Sequence, residues 1–196
     1  MRIKIISGIL SIILCMSGCA SSDTLVLSDG IGEQSITKDQ AYEIVKAYNI
    51  VKMPENFEET TVLQYDKVFN YFLYAGFYQN NAVRSELQKY LNEDGVYEIP
   101  VNIVDHYLSK KFNTSVNRKL IPFYREDTDT YQLTPFQGEF YYDIEVSSLK
   151  EVDPKIYEFI SFLSLNADDP IKNSSQQKFV IFVDNGCYKF LEHQVL

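Results

Sequence analysis

The amino-acid sequence predicts an α+β fold in which N-terminal helices pack on a C-terminal antiparallel β-meander of about four to five strands. Three observations carry this reading. Apolar residues recur at helical spacing up to Phe112, they alternate from Leu120 onward, and Asn185-Gly186 separates two strand-like runs near the C-terminus.

The helical half opens at Thr37. Thr37 followed by Gln40 has the form of a capping box, and Ala41, Ile44, Val45 and Tyr48 then fall at i, i+3, i+4 and i+7. This predicts an amphipathic helix from Thr37 to about Ile50, with Pro54 marking its exit. A second stripe, Val62, Tyr65, Phe69, Phe72, Leu73 and Gly76, predicts a helix from about Thr60 to Phe77, ended by Asn80 and Asn81. Val83 to Leu91 reads as a shorter helix closed by Asp94-Gly95. After an extended piece, Val96 to Ile99, Pro100 suits a first helical turn, and Val101, Val104, Leu108 and Phe112 continue at helical spacing.

The strand half begins with Leu120 to Arg125 and Thr130 to Thr134, which flank an acidic turn. Glu139 to Ser147 alternates, with Phe140, Tyr142, Ile144 and Val146 on one face. Ile156 to Leu165 fits a strand or a helix; its β-branched and aromatic content favours the strand. Phe179 to Val183 and Cys187 to Val195 form a hairpin about Asn185-Gly186, because that pair readily takes the positive φ angles of a type I′ turn.

The 196 residues are 45 % hydrophobic and 14 % aromatic, enough for one core and one domain. The formal charge is −9, and the basic residues form no dense cluster. That balance argues against nucleic acid, and against lying flat on an anionic lipid surface. No G-x-S-x-G, phosphate-cradling glycine loop, G-x-G-x-x-G or C-x-x-C occurs.

The N-terminus reads as an export segment. Arg2 and Lys4 precede an apolar run from Ile5 to Leu14, which is too short to span a bilayer, and Ser17 and Gly18 then lead into Cys19. Met16, Ser17, Gly18 and Cys19 resemble the lipobox of bacterial lipoproteins, with Met16 where leucine is commoner. The resemblance implies diacylglycerol transfer to the Cys19 thiol, cleavage between Gly18 and Cys19, and retention of the chain by lipid on the outer side of the cytoplasmic membrane. Two alternatives stay open: cleavage at an A-x-A-like site formed by Gly18 and Ala20, which releases the protein, and an uncleaved segment. The stretch 96–112 is similar to a pattern in exported lipoproteins of Gram-positive bacteria and implies no activity.

Cleavage before Cys19 removes Arg2 and Lys4 but no acid, leaving 16 basic against 27 acidic residues and a charge of −11. It also leaves Cys187 as the one free thiol, so the domain rests on packing without an internal disulfide. The organisation expected is a signal over residues 1–18, a lipidated tether over 19–36 and one domain over 37–196. A tether of Ala20 to Ser35 has a root-mean-square reach of roughly 20 to 24 Å, enough to hold the domain clear of the lipid heads.

Candidate chemistry is sparse. Cys187 and His193 have equal parity on one strand but stand roughly 20 Å apart along it, too far for a thiol–imidazole dyad, and Cys187 faces Asp184 across the hairpin. His106 is expected to face water. Glu126, Asp127 and Asp129 cluster in one turn but lack the spacing of a calcium loop, and no histidine spacing suits zinc, so neither a metal nor a cofactor is expected. The most enzyme-like group is the polar face of the Glu139 strand, where Glu139, Asp143 and Glu145 surround Tyr141, with alternate carboxylates about 6.6 Å apart, as in some glycosidases. The commoner meaning of such a face is a wet sheet surface. Tyr71, Tyr74 and Tyr78 lie outside the main stripe of their helix and suit either a partner surface or the periphery of an aromatic core. The reading that results is a lipid-anchored module, more a binder than an enzyme, whose partner is an envelope protein or a small ligand; a surface hydrolase is the alternative.

Overall fold

The computed structural model describes residues 27–31, 35–135, 143–164 and 174–196. The chain is α+β, with its helices N-terminal to the main strands. The lipobox residues Met16, Ser17, Gly18 and Cys19, together with Glu139 and Tyr141, lie outside the described residues.

Helix α1 (Lys38–Ile50) starts as its capping box dictates. The Thr37 hydroxyl accepts from the Gln40 backbone N–H at 3.2 Å, and Gln40 Oε1 accepts from the Thr37 N–H at 2.9 Å. Its Ala41, Ile44, Val45 and Tyr48 face is buried. Strand β1 (Asn56–Glu58), not foreseen from the sequence, follows. Helix α2 (Tyr65–Tyr71) begins later than its periodicity suggests, because Leu63 N–H bonds the Asn113 carbonyl and Leu63 pairs with Thr114. Val62 is left 63 % exposed. The helix then widens into a π-helix over Phe72–Tyr78, where Gln79 N–H reaches back five residues to the Tyr74 carbonyl.

Asn80 does more than end that helix. Its side-chain oxygen accepts from Ala82 N–H and Val83 N–H, capping helix α3 (Asn81–Leu87). A 3₁₀ turn, Gln88–Tyr90, completes the predicted short helix. Strand β2 (Tyr97–Pro100) leads into helix α4 (Val101–Lys111), with Pro100 immediately before the first turn rather than in it. Residues 118–120 form a 3₁₀ turn, so strand β3 (Tyr124–Arg125) is shorter than predicted; β4 (Thr130–Leu133) follows.

Strands β5 (Asp143–Asp153), β6 (Ile156–Ser164), β7 (Ser174–Asp184) and β8 (Cys187–Val195) form the expected meander, and β1 adds to its far edge in the order β1-β8-β7-β6-β5. The ambiguous segment at Ile156 is a strand, paired antiparallel on both sides. Asn185 and Gly186 both have positive φ, as the hairpin requires. The β3–β4 hairpin stays apart from the meander and joins β2 in a separate three-stranded sheet. Helices cover one face of the large sheet: Tyr48 meets Phe179 at 5.2 Å, and Phe112 stacks on Phe190 at 5.1 Å. Among the described residues no helix is long and apolar enough to cross a membrane.

The largest departure from expectation is at residues 27–31. This stretch falls within the predicted tether, yet Leu27 is 2 % exposed and Ile31 is also buried. It runs as a strap beside the β7–β8 turn, with Asp29 N–H and the Ser28 hydroxyl both donating to the Gly186 carbonyl at 3.0 and 3.2 Å. Ile36, the last residue of the expected tether, is buried too. Segments that short show no periodicity, so their Ser, Asp and Gly content reads as linker although two apolar side chains are enough to seat them.

Gly186 is held at φ +76°, and a Cβ there would stand 2.8 Å from Ser28 Oγ. Gly95, at φ +77°, has nothing within 4 Å of such a Cβ. Gly95→Ala is therefore expected to cost only the left-handed backbone term, about 1–2 kcal/mol. Gly186→Ala should cost more and selectively speed amide exchange over residues 28–31, as checked by urea denaturation and hydrogen–deuterium exchange.

Candidate functional site

The strap is fixed by one carboxylate. Asp29, with its side chain 4 % exposed, accepts from Lys111 Nζ, from Tyr107 Oη at 2.6 Å and from Tyr188 N–H at 3.2 Å. Tyr107 and Lys111 are one turn apart on α4 and so reach the same point. Lys111 is 1 % exposed, also donates to the Tyr188 carbonyl at 3.3 Å, and lies over the Tyr107 and Tyr188 rings at 4.6 and 3.5 Å. Burial pushes its ammonium below the usual lysine range, and the Asp29 carboxylate opposes that shift. Tyr71, Tyr107 and Tyr188 are all held well above the usual phenol range, chiefly by burial. Tyr71 is paired hydroxyl to hydroxyl with Tyr188.

The sequence left Tyr71 between a partner surface and the periphery of an aromatic core; it is fully buried in that core. Tyr74 and Tyr78 are half-buried and pack edge to face at 5.9 Å.

Beside this anchor opens a cleft of about 360 Å³. The strap supplies Gly30 and Ile31, α1 supplies Asp39, Gln40, Glu43 and Ile44, and the opposite wall is Ala75, Gln79 and the start of α3. The wide turn of the π-helix brings Ala75 and Gln79 to this wall, and such turns are frequent at functional sites. Gly76 makes room behind it: a Cβ there would meet the Phe72 ring at 3.0 Å and the Tyr107 hydroxyl at 3.4 Å.

The polar groups of the cleft divide into spent and unspent. Gln40 is used by Thr37 and Gly30, and Asn80 by Asp29, Ala82 and Val83. Asn81 accepts from Arg84. Gln79 Oε1 is buried with no hydrogen-bond partner, Asp39 makes no ion pair among the described residues, and Glu43 reaches Lys46 only at 3.9 Å.

The sheet-face carboxylates lie elsewhere. Asp143 and Glu145 are exposed on β5, an edge strand, and line no part of this cleft. Glu145 pairs with Phe162 on the sheet face turned away from the helices, which also carries the ion pairs Lys150–Glu158 and Lys178–Glu192 at 2.7 and 2.5 Å. Ile144, by contrast, points into the core. In the acidic turn Asp129 accepts from the Tyr124 hydroxyl at 3.2 Å. Among the described residues no three His, Cys, Asp or Glu side chains converge as a metal site.

A second polar cluster lay beyond sequence reasoning. Asp105 on α4 accepts from Tyr65, from Tyr131 at 3.2 Å and from Arg118 Nε and Nη2 at 3.0 and 2.5 Å. Its four bonds tie α2, α4 and β4 together. Its parts are distant in sequence, so no local spacing announces it.

The parity argument for Cys187 and His193 is overturned. The β7–β8 register slips between Val180↔Glu192 and Ile181↔Phe190, leaving Leu191 as a bulge that turns His193 into the core with Tyr188 and Phe190. His193 lies between Tyr48 and Phe179 at 4.5 and 4.4 Å, and its Nδ1 bonds the Pro54 carbonyl at 3.0 Å. Cys187 pairs with Asp184, as the hairpin register implies, and its thiol donates to the Leu27 carbonyl at 3.4 Å. His106 is half-exposed on α4.

Comparison with known proteins finds no relative. No family model matches this chain, and no curated protein or solved structure matches it significantly.

Two predictions follow from these buried groups. Asp29→Asn or Lys111→Met each leaves one charge buried without its partner and should cost about 3–5 kcal/mol. The double variant should cost less than the sum by about 1–3 kcal/mol, measured as a urea-denaturation cycle. Burial pushes His193 from 6.5 down to about 4. Between those values the unfolded chain binds the proton and the folded chain does not. His193 therefore stabilises fully above pH 6.5, and about 3 kcal/mol is lost as pH falls to 4. His193→Phe should flatten that part of the stability–pH curve; Tyr48 Oη, at 2.9 Å, still satisfies Pro54 O in the variant.

Proposed function

We propose that this chain is a lipid-anchored, non-catalytic binding module on the outer side of the cytoplasmic membrane, and that the cleft between the strap, α1 and α3 is where its ligand sits. The observation that carries this reading is the cleft itself. Its size falls within the range of small-ligand sites, and the apolar side chains of Ile31, Ile44, Ala75 and Tyr188 line it beside the carboxylates of Asp39 and Glu43.

The address is supported by the lipobox-like Met16-Ser17-Gly18-Cys19. With the strap seated, seven residues lie between Cys19 and Leu27, so eight Cα–Cα steps span at most about 29 Å. A lipidated Cys19 would thus keep the cleft near the bilayer, where an envelope ligand or a segment of an envelope protein would meet it. Asp143 and Glu145 face solvent on an open sheet surface, which favours a binder over the hydrolase reading.

The test is photocrosslinking in native membranes from Asn81, on the cleft wall, with Thr128, exposed in the turn before β4, as control. A saturable adduct of defined mass is expected from position 81 alone. Ala82→Leu, which fills the cleft beside Gly30, should abolish it, and Cys19→Ala should release the protein from the membrane fraction. Equal adducts from both positions, or capture unaffected by Ala82→Leu, would count against the cleft; retention of Cys19→Ala in the membrane would count against the lipid.

A further inference from the structure

We propose that the Lys111 amine and the Asp29 carboxyl condense into an amide, a covalent staple between the strap and the last turn of α4. The inference stands apart from the cleft and rests on how the two groups are held. They are 82 residues apart in sequence, in direct contact, and all but sealed from water. The Tyr107 hydroxyl donates to Asp29 Oδ1 at 2.6 Å, and the Tyr188 N–H donates at 3.2 Å to Oδ2, the oxygen that also receives Lys111 Nζ. On its other sides the ammonium has the Tyr188 carbonyl at 3.3 Å and the faces of the Tyr107 and Tyr188 rings. The ion pair is the state in which folding delivers the reactants. Held at contact from several sides, they have the arrangement that gives intramolecular reactions their large effective concentrations.

The surroundings also favour the neutral forms that must react. Burial penalises the Lys111 ammonium and lowers it, although Asp29 opposes the shift. Transfer of one proton from Nζ to Oδ2 turns the ion pair into amine and acid. The Nζ lone pair then attacks Cγ, and the negative charge that develops on Oδ1 meets the Tyr107 hydroxyl, which burial keeps protonated. A second proton passes from Nζ to Oδ2, the Cγ–Oδ2 bond breaks, and one water leaves. The third proton stays on the amide nitrogen, where it faces the Tyr188 carbonyl, while the amide oxygen keeps its bond from Tyr107. No oxidant or cofactor enters the balance. The desolvation cost of two buried charges disappears with the charges, so the enclosed site favours the product more than water would. A chain whose one described cysteine is free thereby gains a covalent tie at the segment nearest its proposed lipid anchor.

The test is peptide mass mapping of the full-length chain, purified from membranes, denatured and digested. A peptide carrying Asp29 joined to one carrying Lys111, one water lighter than the two apart, is expected from the wild type, with fragmentation placing the link at those two residues. It should be absent from Lys111→Arg. In Tyr107→Phe it should form at least tenfold more slowly when newly folded chains are sampled over time. Separate, unmodified Asp29 and Lys111 peptides in the wild type would overturn the inference whether or not any variant folds, and so would a link to another residue. Linkage as fast in Tyr107→Phe as in the wild type would overturn the route through Oδ1.

Discussion

The Asp29 carboxylate is the constraint on which the rest of the structure depends. It lies in a segment with no secondary structure of its own, and it joins three parts of the chain that are far apart in sequence: the strap, the last turn of α4 and the first residues of β8. Removing two charges from water is costly, and this pair offsets the cost through saturation. Asp29 receives three donors, while Lys111 has the Asp29 oxygen, the Tyr188 carbonyl and two ring faces. Lys111 also stands in the last turn of α4, where a cation complements the exposed carbonyls. The strap is thus located by directional bonds, with Leu27 and Ile31 supplying apolar burial on either side.

The same principle explains the use of tyrosine. The chain has 15 tyrosines, 13 phenylalanines and no tryptophan. Phenylalanines 159, 179 and 190 make the floor of the core against the sheet, while several buried tyrosines end in a hydrogen bond that fixes an element's position. Tyr48 reaches Pro54, Tyr71 reaches Tyr188, Tyr107 reaches Asp29, and Tyr65 and Tyr131 meet at Asp105. A ring contributes apolar area wherever it is buried, but a hydroxyl is satisfied only in one place, so each such residue adds register to packing. Among the described residues, whose one cysteine is free, this is how loops and short helices are held on the sheet.

What the sequence made legible was whatever depends on near neighbours. The Thr37–Gln40 capping box, the Asn185-Gly186 turn, the change of period after Phe112 and the meander all come from residues within a few positions of one another, and the fold class follows from their order. What it hid depends on distant partners. A lysine near a helix end reads as solvated, and Lys111 is buried only because Asp29, 82 residues away, is there to meet it. The bulge at Leu191 has no local signal, and it reverses the side on which His193 falls. The candidate cleft was illegible for the same reason: its walls come from the strap, α1 and the π-helical turn, and the polar face singled out on β5 is elsewhere.

The strap links the cleft to the N-terminal segment energetically as well as spatially. Gly30 and Ile31 belong to the cleft wall, while Ser28 and Asp29 carry the bonds that hold the strap to the β7–β8 turn and α4. A ligand touching that wall binds only the state in which the strap is seated, so occupancy must favour seating by the free energy of those contacts, and loss of seating must weaken occupancy by the same amount. Gly186 sits at the junction, since its positive φ makes the hairpin turn and its lack of a Cβ admits Ser28. One glycine therefore serves the sheet, the strap and the cleft together, and the site cannot be altered at that point without altering the fold that forms it.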